Sequence, residues 1–507
     1  GIYTIPADIS IEVNTIEVSN GASLIIEQGG SLTVHGDFTN NGVVELQSSS
    51  NNYASLIIEG IATGNMSYKR HVNNYNGSTG NDLVSSPFNG QTFGSFATAN
   101  PNLFENSNNT DQKLFGPFNE TTGSYQSLFA TTNASVTLDK GVGYRAARDA
   151  SEDAISGTTL TFTGTVETNG FTLPITESAT AFSGWNLIGN PYPSYIDFET
   201  FFNLNQSQLD AGALQAVYGY DGDASNGWTI LNNLSTGVLI APGQGFFVKV
   251  KSGGGLISFT PQMRVKGNTD DFIAGRINSG LVKVEINNNS TSFETDIYFN
   301  SNASLGLDPG YDASLFGGSA PNYAVYTHLV EENTGTPMAI QALGQDDMNN
   351  VVIPLGIHAA QGETITVAIT EMSIPSTVNV YLEDTDNNTF TLLNNNTYSF
   401  VADTDMLNAG RFFLRFETSA LNLNEQSLDG LNIYTNQAEK TIVIKGQLQK
   451  ATDLKLFDIH GRVVTTQKLE TTNTIQVINV SNLTTGIYIV QLENEQNQKR
   501  IQKLIIK

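Results

Sequence analysis

The chain has 507 residues, of which 39% are hydrophobic and 14% charged, with 49 acidic side chains against 24 basic ones and no cysteine. A net charge of -25 opposes phosphate binding and so excludes nucleic acid as a partner, while the missing thiols exclude disulfide staples, thiolate metal sites and cysteine nucleophiles. No apolar run reaches the roughly 18 residues of a membrane-spanning helix, and no charged-then-apolar leader begins at Gly1, so the chain is expected to be either mature or a fragment.

Such a length predicts about three or four domains rather than one core. Ala-Glu-Lys-Leu helical blocks are missing, and short β-branched and aromatic runs lie between Asn, Gly, Asp and Ser clusters. The expected class is all-β and multidomain: an N-terminal β-solenoid-like layer, a duplicated β domain, a β-sandwich and a C-terminal immunoglobulin-like β-sandwich.

Residues 1–65 carry the apolar pairs Leu24/Ile26, Leu32/Val34, Val44/Leu46 and Leu56/Ile58, eight to twelve residues apart with Gly or Asn between them. Each unit buries one face and then turns, which predicts stacked rungs; a β-meander is the alternative. Residues 66–267 read as an internal duplication, with copies at about 82–166 and 185–262. Leu83 matches Leu187, Pro87 matches Pro191, Gly143 matches Gly245, and Phe162 matches Phe259. Short helices are expected at "IDFETFFNL" and "QSQLDAGA". Residues 268–418 hold nine alternating segments at roughly ten-residue spacing, the pattern of a two-sheet sandwich, with "YDASLFGG" as an interrupting loop.

The stretch 419–430 is polar and aperiodic, as a linker should be. Beyond it the charge reverses. Residues 431–507 contain ten Lys/Arg and six Asp/Glu, a net of +4, whereas the rest of the chain carries -29. This break marks a separate module. The module contains, in order, "LFDIHGRVV" (Leu456 to Val464), "LTTGIYIVQL" (Leu483 to Leu492) and a closing "KLIIK". "DIHGR" is expected to be a tight turn in which Asp458 accepts local backbone bonds and Gly461 takes positive φ. "GIY" should open a strand that pairs with the last one, leaving basic residues near an edge, where lysines block aggregation.

The ordered set resembles the C-terminal sorting domains of bacterial type IX secretion. The resemblance covers about the last 75 residues. It departs from the family at Tyr434, which is followed by "TNQA" where a Pro-Asn-Pro-like element is common. It implies that Asp458, Gly461, Arg462, Gly486, Tyr488, Lys499, Arg500, Lys503 and Lys507 belong to a sorting signal. It also implies a cargo protein of Bacteroidota, which crosses the periplasm and is read by the outer-membrane translocon and its shuttle proteins. Such a protein ends at the cell surface, tethered to lipopolysaccharide, or in the medium.

Catalytic sets do not emerge from the passenger. His35, His71, His328, His358 and His460 are scattered without zinc-site spacing, and there is no G-x-S-x-G elbow. The acid pairs Asp221/Asp223, Asp270/Asp271, Asp308/Asp312 and Asp346/Asp347 are candidates for a hydrolase, but loop acids are commonly turn formers. "YDGDASNGW" places Asp221 and Asp223 as calcium candidates, although a hairpin tip explains the same residues. Trp185, Tyr220 and Trp228 are candidates for glycan stacking, against a core role. The expectation is a non-enzymatic surface or secreted protein without cofactor; carbohydrate binding is the alternative and a divergent hydrolase the third.

Overall fold

The computed structural model describes residues 1–75, 80–179, 183–220, 228–270, 280–407, 409–418, 428, 431–437, 439–446, 448, 450–458, 461–471, 474–494 and 499–506. The chain is all-β and divides into two compact units, Gly1–Ser419 and Ala420–Lys507.

The first unit begins as a three-faced parallel β-helix. One face stacks Ile2–Ile5, Ser23–Ile26, Val43–Gln47 and Met66–His71. The second stacks Ser10–Val13, Ser31–Val34 and Ser55–Ile58, and the third Ile16–Val18, Phe38–Asn40 and Ala62–Thr63. Ile2 lies beside Ser23, and Ser23 beside Val43, so a full coil takes roughly 20 residues. The eight-to-twelve-residue spacing in the sequence is therefore a step between faces and not a complete rung. All four apolar pairs point inward and are at most 2% exposed. Turning the corners requires close backbone approach: a Cβ on Gly42 would lie 2.4 Å from the Ala22 carbonyl. Thr159–Gly164 pairs antiparallel with Met66–His71 and ends the parallel stack. The interior continues through Tyr68 and Phe88 to Phe96 and Phe162, so the helix and the first copy share one core.

The two copies have the same sheet. Asp82–Ser85, Gly143–Ala146, Phe115–Asn119 and Ser124–Tyr125 adjoin in that order. Trp185–Gly189, Gly245–Lys249, Val217–Tyr220 and Trp228–Leu231 repeat it. Each copy also has a helix, Phe93–Ala99 and Phe198–Asn205. The second is the helix expected from "IDFETFFNL"; Asp197 caps it by accepting from the Thr200 N–H at 2.8 Å. The segment at "QSQLDAGA" supplies only the 3-10 turn Gln206–Gln208. The copies face each other through reciprocal hydrogen bonds. The Ser85 N–H donates to the Gly243 carbonyl at 2.8 Å, and the equivalent Gly189 N–H donates to the Gly141 carbonyl at 2.9 Å. The second copy also docks on the β-helix, where Leu56 N–H donates to Pro193 O and Arg264 to Ile58 O.

The third part contains all nine expected strands together with Ala313–Ser314 and Tyr398–Val401. Hydrogen bonds join them into one eleven-stranded sheet, rather than two sheets, around a single core. A buried carboxylate holds distant parts of this sheet together. Asp384 accepts from Arg411 Nε and Nη2 at 2.9 and 2.7 Å and from the Tyr398 hydroxyl at 2.8 Å. Tyr398 lies on the strand at one end of the sheet, and Asp384 on the second strand from the other end.

The second unit is a β-sandwich with its own core. Asn432–Asn436, Thr441–Lys445 and Ile475–Asn479 form one sheet; Val463–Leu469, Thr452–Phe457, Gly486–Asn494 and Lys499–Ile506 form the other. Among the described residues, no helix of either unit is long and apolar enough to cross a membrane.

Candidate functional site

Alternation in "LVKVEIN" and "SFETDIYF" buries Val282, Val284, Ile297 and Phe299 and turns Lys283, Glu294, Asp296 and Tyr298 to the opposite face. A sheet face this polar would ordinarily meet water. Here the second copy lies across it, and a cavity of about 590 Å³ is left between them. Trp228 and Ile230 line one side, and the charged face lines the other. Strand register puts Lys283 opposite Asp296 on one neighbour and opposite Glu371 on the other. Lys283 Nζ is 3.2 Å from Glu294 Oε2 and 3.6 Å from Asp296 Oδ1. Burial pushes the Asp296 carboxyl up to about 6, against the pull of Lys283 and with the push of Glu294.

The aromatic residues singled out in the sequence have different positions. Trp185 is 5% exposed, in a core with Tyr218 and Phe247. Tyr220 and Trp228 are half-buried, their ring centroids 5.1 Å apart. Trp228 stacks on Phe316 at 3.9 Å and 12°. Phe316 comes from the loop "YDASLFGG", and it also touches Trp185, Tyr218 and Phe247. Nothing in the local pattern distinguishes Phe316 from any other loop aromatic; only the packing of the third part on the second copy gives it this place. Asp221 and Asp223 lie outside the described residues, as do Asp271 and His460.

Of the acid pairs, Asp308 and Asp312 hold backbone. Asp312 is fully buried and accepts from the N–H groups of Ala342 and Asp308, both at 2.7 Å; burial raises its carboxyl to about 7. Asp308 in turn accepts from Ser304. His35 sits outside the β-helix between Glu12 and Glu59, at 3.4 and 3.1 Å, and the bond to Glu59 raises its pKa. His328 and His358, far apart in sequence, flank Tyr326 along an open 650 Å³ recess. Each Nδ1 meets a carbonyl, of Thr336 and Pro321, and so donates; the Tyr326 hydroxyl is 3.0 Å from His358 Nε2.

In the C-terminal unit the Asp458 turn forms as expected. The Gly461 N–H donates to Asp458 O, the Arg462 N–H donates to Asp458 Oδ1, and Gly461 has φ 79°. Tyr488 is a core residue whose hydroxyl donates to Thr484 O at 2.8 Å. Gly486–Asn494 pairs with Lys499–Ile506 along its whole length. The last strand is an edge, and Lys499 there pairs with Glu493 at 3.2 Å. Arg500 is committed elsewhere: it donates to the carbonyls of Leu428 and Leu431, tying the start of the unit to its last strand. Lys503 is exposed, and Lys507 lies outside the described residues. Around Lys503 the outer face carries Ile487, Ile489, Ile501 and Ile505, between 39% and 64% exposed.

A large β passenger joined to a separately folded, basic-edged terminal sandwich defines a class, the exported cargo protein with its own sorting domain. Residues 432–507 match the secretion system C-terminal sorting domain, and the chain is a cargo of type IX secretion, exported to the cell surface or the medium. Residues 3–416 match the family described as Domain of unknown function (DUF8693), and the chain belongs to that family. No curated protein matches. Among solved structures, a chain titled "Biofilm associated protein - BSP domain" is 14% identical, with a TM-score of 0.17, over 29% of this chain and 27% of that one. The extracellular domain of a one component system from B. thetaiotaomicron is 10% identical, with a TM-score of 0.13, over 80% of this chain and 75% of that one.

Proposed function

We propose that the protein is a non-enzymatic surface or secreted protein whose β-helix, duplicated domain and eleven-stranded sheet together form a display or adhesive body. The observation that carries this reading is the independent core of the sorting unit, which lets export be handled by one part while the passenger is kept for the outside. The use of Asp312, Asp308 and Asp384 in holding backbone and strands supports the non-catalytic part of the reading. The machinery reads the outer face of the last hairpin, where Ile487, Ile489, Ile501 and Ile505 surround Lys503, because an exposed apolar patch rimmed by charge is a docking surface. Replacing the four isoleucines by serine should leave the unit folded and stop delivery to the surface. Normal surface delivery of that variant overturns the assignment of the face, and turnover of a polysaccharide or peptide by the purified protein overturns the non-enzymatic reading.

A further inference from the structure

The cavity above the Lys283 face is lined by residues of the first unit alone and contains none of the sorting unit. Part of its wall is apolar, with Ile230, Leu234, Leu281 and Phe316 among the lining residues. Its floor is acidic. Three carboxylates, of Glu294, Asp296 and Glu371, share the face with the single ammonium of Lys283. Lys283 is already engaged by Glu294 and Asp296, so an excess of negative charge remains beside an apolar chamber. Asp296 Oδ1 is shut off from solvent and, at 3.6 Å, meets Lys283 only as a long ion pair.

We infer that this cavity binds a small organic cation, a primary or quaternary ammonium carried on an aromatic or aliphatic body. The ammonium balances the carboxylate charge that the single Lys283 leaves over among Glu294, Asp296 and Glu371, and the body takes up the apolar part of the walls. Trp228, Phe293 and Tyr298 line the same chamber, and aromatic rings attract a desolvated cation through their quadrupoles. At about 590 Å³ the chamber is the size of small-molecule sites. A saccharide fits less well, because one face of the Trp228 ring is taken by Phe316 and the charged groups present are three carboxylates against one ammonium. A bare divalent ion is disfavoured by the ammonium of Lys283 at the centre of the carboxylates.

The test uses the full chain, titrated by calorimetry and by tryptophan fluorescence; the chain has two tryptophans, and only Trp228 lines the cavity. Phenethylammonium and benzyltrimethylammonium should saturate and compete with one another, and phenylacetate, benzyl alcohol and cellobiose should not displace them. Glu294→Gln combined with Glu371→Gln should weaken cation binding at least tenfold at an unchanged unfolding midpoint. If that variant unfolds, the competition series on the unaltered chain decides alone. Failure of both cations to bind, equal binding of benzyl alcohol or phenylacetate, preference for cellobiose, or undiminished cation binding in a folded double variant would each overturn the inference.

Discussion

Asp384 has 1% of its side chain exposed, and its carboxylate joins Arg411 and Tyr398 from two other strands. Those hydrogen bonds hold its pKa well below the usual carboxylate range despite the opposing effect of burial. Breaking a buried pair leaves the partner charge uncompensated, so Asp384→Ala should cost about 3 kcal/mol in urea unfolding. The same group contributes stability above about pH 4 that disappears as the pH falls. Asp296 and Asp312 act with the opposite sign. Burial raises them to about 6 and about 7, so the folded state holds protons that the unfolded chain has released. Stability should therefore fall as the pH rises from about 4 to about 7. The groups facing Asp296 are Lys283, Glu294 and Glu371. Asp296→Asn should flatten part of this slope when denaturation is compared at pH 4.5 and 7; an unaltered slope would assign it elsewhere.

At the scale of elements, the duplication rests on glycines at a shared interface. A Cβ at Gly143 would stand 2.6 Å from Leu187 Cγ and 2.7 Å from Ile188 O. A Cβ at the equivalent Gly245 would stand 2.7 Å from Leu83 C and 2.8 Å from Val84 N. Overpacking of this kind costs roughly 1–3 kcal/mol, so Gly143→Ala and Gly245→Ala should each lower the unfolding midpoint by similar amounts. A loss at only one of the two positions would show that the copies do not pack equivalently. The landmark glycines were legible in the sequence as repeats. Their role was not, because the atoms they make room for lie in the other copy, about 45 residues from Gly143 and about 160 from Gly245.

At the scale of the molecule, the two units have separate cores, and the core of the second is built from Leu428 onward. Deleting Gly486 to Lys507 removes two of the four strands of one tail sheet and none of the passenger. The passenger should keep its circular dichroism spectrum and its own thermal transition while the protein accumulates inside the cell. A passenger that unfolds on this deletion, or one still delivered to the surface, would contradict the division of labour.

The all-β class, the stacked repeats, the duplication, the nine long strands and the separate tail could all be read from one dimension. Each depends on local alternation, on turn residues or on a shift in charge, and these act over a few neighbours. The length of a β-helix coil, the single eleven-stranded sheet and the cavity could not. "LVKVEIN" and "SFETDIYF" read as strands with one wet face, and the pleat does place Lys283, Glu294 and Asp296 there. Whether water, or Trp228 and Phe316, then lies across that face is settled by packing between segments far apart in sequence, on which local patterns carry no information.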